Sequence, residues 1–215
     1  MIDITNQLDA IHRGVSRQQV DDAENISVLL RRSYPAAIED VWEAMTDPER
    51  IERWFMPVSG ELRVGGTFQL EGNAGGDILE CEPPHRLKLT FGGPTSLVEL
   101  RLTPAGQDDT VLELEHTVPI ELAGSGAGAL YVGPGWDGAL LALALFVQGE
   151  VAADPVAAAM SPDGIEFSRQ SVAAWSSVVE SSETATADEI AMVTEMALAQ
   201  FAPEVGTTGD ADTIV

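Results

Sequence analysis

The segment from Pro134 to Gln148 reads as a helix that is apolar almost all the way round. Leu140, Leu141, Leu143, Leu145, Phe146 and Val147 leave it no polar stripe to turn towards water. Such a helix must be covered on most of its sides. Its unbroken apolar run, residues 139–147, is far shorter than the roughly 20 residues that span a bilayer. The cover therefore has to be protein.

The stretch upstream offers a surface of the right kind. Leu87, Leu89 and Phe91 alternate with Arg86, Lys88 and Thr90; Val98, Leu100 and Leu102 alternate with Glu99 and Arg101. Leu112, Leu114 and His116 alternate with Glu113 and Glu115. A period of two, with one dry face and one wet face, is the pattern of half-buried strands. The connections Pro83-Pro84, Gly92-Gly93-Pro94 and residues 106–109 are too short for crossover helices, so these strands form an antiparallel meander. Further strands are expected from Ile26, over Thr67–Glu71 and over Ile78–Glu82, the last with Asp77, Leu79 and Cys81 facing inward.

Helical spacing returns elsewhere. Val41, Trp42 and Met45 share one side of a helix over residues 38–45, and Thr46-Asp47-Pro48-Glu49 has the form of a capping box for a second short helix. Ile4, Leu8 and Ile11 predict an amphipathic helix ending near Gly14, followed by a polar linker from Arg17 to Asn25. Ser161-Pro162-Asp163 starts one late helix, and Thr186-Ala187-Asp188-Glu189 caps another. The expected divisions are thus an N-terminal helix and linker (1–25), a central domain (26–149), an acidic helical extension (150–205) and a disordered tail (206–215).

Charge and cysteine content exclude several functions. Lys and Arg number 11 against 35 Asp and Glu, a net charge of −24, which repels phosphate backbones and anionic headgroups. Neither nucleic acid nor a membrane is an expected partner. With Cys81 alone, no intramolecular disulfide and no four-cysteine zinc site can form. No apolar run marks a signal peptide in the first twenty residues, and a cytoplasmic location is expected.

Gly133-Pro134-Gly135-Trp136-Asp137-Gly138 matches G-x-G-x-x-G, but its context is wrong for a dinucleotide site. The preceding strands are antiparallel, no parallel strand follows, and Asp137 puts negative charge where a pyrophosphate would lie. A glycine hinge into the buried helix is the better reading. His12, His85 and His116 are too dispersed to hold a metal. Cys81 has no activating base in view and reads as a small hydrophobe. His116 falls on the dry face, either as a satisfied core group or as the polar anchor of an enclosed ligand. Trp54, Phe55 and Trp136 stand at helix ends, where aromatics line concave pockets as readily as they fill cores.

The order of elements resembles the helix-grip fold: α+β, with a curved antiparallel β-sheet wrapped around a long helix, here with extra N- and C-terminal helices. Tyr34-Pro35-Ala36-Ala37-Ile38-Glu39-Asp40-Val41-Trp42, Met45-Thr46-Asp47-Pro48-Glu49, Trp54-Phe55, Val64-Gly65-Gly66, Glu82-Pro83-Pro84-His85-Arg86-Leu87, Leu114-Glu115-His116 and Gly135-Trp136 resemble a signature. It is that of proteins similar to the activator of heat-shock-protein-90 ATPase, within the START-like SRPBCC superfamily. The resemblance covers residues 26–149, and Ala37 departs from it by standing where the family has proline. The chain lacks the chaperone-binding domain that precedes this module in the eukaryotic activators, so a chaperone partner is not expected.

The resemblance implies a cavity between sheet and long helix, lined at Trp54, Phe55, Phe68, Leu89, Leu100, Leu114, His116, Trp136 and Leu140. The reading that follows is a non-catalytic binder of a small hydrophobic molecule, with no cofactor and no metal. One competing reading is a polyketide-cyclase or hydrolase-like enzyme with His116 as acid–base. The other is an interaction module whose acidic C-terminal helices cover the pocket mouth or pair two chains into a homodimer.

Overall fold

Eight strands form one antiparallel sheet in which nearly every neighbour in space is a neighbour in sequence. The computed structural model describes residues 2–20 and 23–204, so the tail expected over 206–215 lies outside the described residues. The strands are β1 (His12–Val20), β2 (Ala23–Tyr34), β3 (Val58–Gly60), β4 (Thr67–Leu70), β5 (Gly75–Glu82), β6 (Arg86–Thr90), β7 (Leu97–Pro104) and β8 (Thr110–Pro119), in the order β1-β2-β8-β7-β6-β5-β4-β3. The sheet is curved. Strand β8 closes against β2, pairing Leu114 with Leu30 and Leu112 with Arg32. The alternation read from the sequence holds on β8, where Thr110, Leu112, Leu114 and His116 are buried.

The helix that demands cover, α5 (Gly133–Val147), receives it from both directions, with Leu140, Leu143 and Ala144 in the main core. Strand β2 reaches it directly, where the Tyr34 hydroxyl donates to the Leu140 carbonyl at 3.2 Å. The wider stretch Gly126–Val147 is long and apolar enough to cross a membrane, yet more than half of its most apolar part is buried inside the fold. It is also broken, into a 3-10 segment (Gly126–Tyr131) and α5.

The remaining helices are α1 (Ile4–Asp9), α2 (Ile38–Thr46), α3 (Pro48–Ile51), α4 (Ile120–Ala123), α6 (Pro155–Ala159), α7 (Pro162–Ser182) and α8 (Ala187–Phe201). The capping box at Thr186 and Glu189 forms as expected, and Ser161 caps α7 by accepting from Gly164 N at 3.2 Å. The one expected at Thr46 does not: Asp47 caps α3, accepting from Glu49 N at 2.9 Å, while the Thr46 hydroxyl turns back to the Trp42 carbonyl. Proline at the next position fits either cap, so the four-residue pattern did not distinguish them.

Two expectations are corrected. The N-terminal helix stops at Asp9 rather than near Gly14, and residues 12–20 and 23–25, expected as the helix end and a linker, are strand: edge strand β1 pairs with β2 from His12–Arg31 to Val20–Ala23. An edge strand shows water one of its sides and can be polar in composition, so hydrogen bonding to β2 outweighs its weak alternation. The second correction is in β5, where the register slips between Ile78 and Glu80 and leaves Leu79 as an extra residue. This bulge turns Leu79 and Asp77 outward and Ile78 inward, while Cys81, paired with Leu87, packs on the core half-buried. Burial pushes its thiol pKa up.

Both terminal extensions converge on one buried charge. Asp137, fully enclosed on α5, accepts from Arg13 Nε at 2.9 and 3.1 Å, from Ser171 Oγ at 2.5 Å and from Trp175 Nε1 at 3.1 Å. Arg13 also donates to the carbonyls of Leu8 and Ile11. One carboxylate thus ties α1, β1, α5 and α7 together. Burial pushes its pKa up, opposed by the pull of Arg13 and the two neutral donors. Next to it Gly133 lies under the Trp175 indole, where a Cβ would come within 2.5 Å of Cε2. That contact, not a nucleotide, accounts for the first glycine of the G-x-G-x-x-G run.

Removing one partner of a buried ion pair leaves the other uncompensated. Asp137→Ala should cost about 3–5 kcal/mol, whereas Arg13→Met combined with Asp137→Leu should recover most of it. Urea denaturation of the single and double variants measures both.

Candidate functional site

A cavity of about 350 Å³ opens between the sheet, α5, the α2–α3 pair and the connection from β3 to β4. Curvature creates it, because the middle of α5 stands off from strands β5–β8 where large rings prop the gap. On one side Trp54 and Phe55 stack with ring centres 5.5 Å apart. On the other, Phe91 stands between Phe68 at 6.3 Å and Trp136 at 5.1 Å. The floor is aliphatic, with Leu100, Leu114 and Leu140 prominent. Pro48 and residues 59–62 are both lining and exposed, so they mark the mouth. Gly60 there adopts a φ of +130°, and a Cβ would strike the Thr67 carbonyl at 2.0 Å, so the rim requires glycine.

Of the nine residues expected to line the cavity, the structure brings eight together: Trp54, Phe55, Phe68, Leu89, Leu100, Leu114, Trp136 and Leu140. His116 is the exception. It is 4% exposed and stands behind the wall, edge-on to Phe91 and Trp136 at 5.9 Å from each. Phe91 was legible from its strand phase with Leu87 and Leu89. The rim from Val58 to Leu62 was not, since a three-residue strand and a turn carry no period. Among the described residues none after Leu143 lines the cavity, so α7 and α8 do not cover its mouth.

Both tryptophan N–H groups at the site are spoken for. Trp54 Nε1 donates to the Ala44 carbonyl at 2.9 Å, and Trp136 Nε1 donates to His116 Nδ1 at 3.1 Å. An indole nitrogen only donates, so Nδ1 of His116 must accept and its proton sits on Nε2, which donates to Ser96 Oγ at 2.8 Å. Burial holds the imidazole neutral, with its pKa pushed down to about 4. It fixes the Trp136 ring rather than exchanging protons with the cavity. His12 and His85 lie exposed on β1 and in the β5–β6 turn. Among the described residues no cluster of His, Cys, Asp and Glu could hold a metal.

The family model described as "Activator of Hsp90 ATPase homolog 1-like protein" matches residues 35–147, just over half of the chain. The chain is similar to CalU16 from Micromonospora echinospora. The crystal structure of that protein is 40% identical, with 80% of this chain and 99% of that one covered and a TM-score of 0.64. Its solution structure gives 40% identity, 81% and 97% coverage and a TM-score of 0.67. A conserved protein of unknown function, EF2215 from Enterococcus faecalis, shares the fold at 16% identity, with 81% and 95% covered and a TM-score of 0.58. No curated protein matches.

The neutral His116 makes stability depend on acid in a defined direction. An unfolded histidine takes up its proton near pH 6.5, whereas His116 in the fold does so only near 4. Its contribution is therefore complete above pH 6.5 and lost as pH falls towards 4, about 2 kcal/mol of it between pH 7 and pH 5. His116→Gln keeps an acceptor for Trp136 and a donor for Ser96 but does not titrate. Urea unfolding at both pH values should show the variant losing about 2 kcal/mol less than the wild type.

Proposed function

The chain belongs to the family of Activator of Hsp90 ATPase homolog 1-like proteins, and we propose that it binds a small apolar or aromatic molecule in the cavity between the sheet and α5. Family and neighbours fit a ligand-binding SRPBCC fold. The observation that carries the proposal is the lining. Aromatic rings form two packed groups, Trp54 with Phe55 and Phe91 with Phe68 and Trp136, and among the described residues Thr46, Ser59 and Glu61 are the lining side chains with oxygen. Pockets that take small molecules are concave, mostly apolar and about 300–1,000 Å³, and this one falls within that range.

Its chemistry favours binding over turnover. The polyketide-cyclase reading assigns acid–base work to His116, whose two ring nitrogens are engaged by Ser96 and Trp136 and which has no surface in the cavity. The remaining lining residues supply neither a nucleophile paired to a base nor an oriented pair of carboxylates.

A neutral fluorescent probe, N-phenylnaphthylamine, should bind saturably at one site per chain with a micromolar Kd. Ala139→Phe on α5 puts a ring into the hollow and should weaken that binding at least tenfold without lowering the melting temperature by more than a few degrees. Probe binding that is unsaturable, or equal in the variant, would contradict the proposal.

A further inference from the structure

The cavity has a directional shortage of hydrogen-bond donors. None of its lining residues is Lys, Arg or His. The two indole N–H groups are spent on Ala44 and His116, and the Thr46 hydroxyl is spent on the Trp42 carbonyl at 2.7 Å. A carboxylate, phosphate or bare carbonyl carried inside would thus leave water and find no side-chain N–H in return, a loss of the kind that makes buried unpaired acceptors costly. At the mouth Glu61, the one charged lining residue among the described residues, offers acceptors alone, and the Ser59 hydroxyl, which can donate or accept, is the one lining side chain there that could serve an anion. Glu61 is exposed and paired with Arg63 at 2.5 Å, an exposed pair of the sort that a ligand group displaces at little cost. The chain's net charge of −24 adds a field of the same sign.

We infer that the cavity selects ligands with an apolar body and a hydrogen-bond-donating, preferably cationic amine, head placed at Glu61, and rejects anionic amphiphiles of the same body. This rests on the binding function proposed above and narrows it to one ligand chemistry. His116 and the Ala44 carbonyl enforce the selection from behind the wall, by keeping both indole donors turned away from the ligand.

Three probes that share a body separate the two levels. Naphthylmethylamine, naphthylmethanol and naphthylacetate are titrated calorimetrically into the full chain at pH 7 and moderate salt, and into Glu61→Gln and Ala139→Phe. The expected order of affinity is amine, alcohol, acetate, with at least tenfold between the ends. Glu61→Gln should weaken the amine several-fold more than it weakens the alcohol, and Ala139→Phe should weaken all three. If the alcohol binds and is blocked by Ala139→Phe while the acetate binds as tightly as the amine, the head-group inference fails and the binding function stands. The inference also fails if Glu61→Gln leaves the amine's advantage intact, or if amine binding persists in Ala139→Phe as attraction to the acidic surface. If no probe binds, the binding function fails and takes the inference with it.

Discussion

Everything in this fold answers to the need of α5 for cover on all sides. A helix with an apolar stripe can lie on one surface, but one with Leu140, Leu141, Leu143 and Phe146 all buried needs two. The curved sheet supplies the first. The second comes from α7 and α8, together with the 3-10 segment that α8 packs on. The single charge on α5 completes the enclosure. Asp137 has no water to turn to, and its partners are drawn from α7 and from β1 near the chain's start. The acidic C-terminal helices are thus a wall of the core helix, though their outer faces remain free to carry charge.

The hollow follows from the same geometry. A sheet bent far enough to wrap a helix approaches it closely at β2, where Tyr34 bonds the Leu140 carbonyl, and stands away from it along β5–β8. Native interiors rarely leave voids larger than a water molecule, and apolar cavities cost about 24 cal/mol per Å³ in engineered cases. A space of about 350 Å³ walled by rings is therefore expensive to leave unfilled. Larger side chains on α5, at Ala139 for instance, would have closed it. Keeping Trp136 in one orientation takes a further arrangement behind the wall, in which Ser96 holds His116 and His116 holds the indole.

The sequence was legible wherever one strict period ran long enough. The all-round apolar run announced α5, and the alternation in β6–β8 placed Leu89, Leu100 and Leu114 on the dry face, while only the family resemblance pointed to a cavity there. Other features lay beyond reach for specific reasons. Strand β1 is polar because it is an edge, so its identity resides in hydrogen bonds to β2 that no side-chain pattern reports. The bulge at Leu79 inverts the phase of one strand by a single residue, and nothing in Ile78-Leu79-Glu80 marks it. His116 had the right face but the wrong depth, since alternation tells inside from outside and not surface layer from second layer. Arg13 and Asp137, 124 residues apart, meet only through the completed fold.

The hollow between sheet and α5 is most directly tested by crystals of the chain pressurised with xenon, an atom that enters dry apolar cavities and ignores polar ones. Anomalous density is expected between Trp54, Phe91 and Leu140. A map in which those side chains close on one another, or in which ordered water fills the space and no xenon enters, would contradict it.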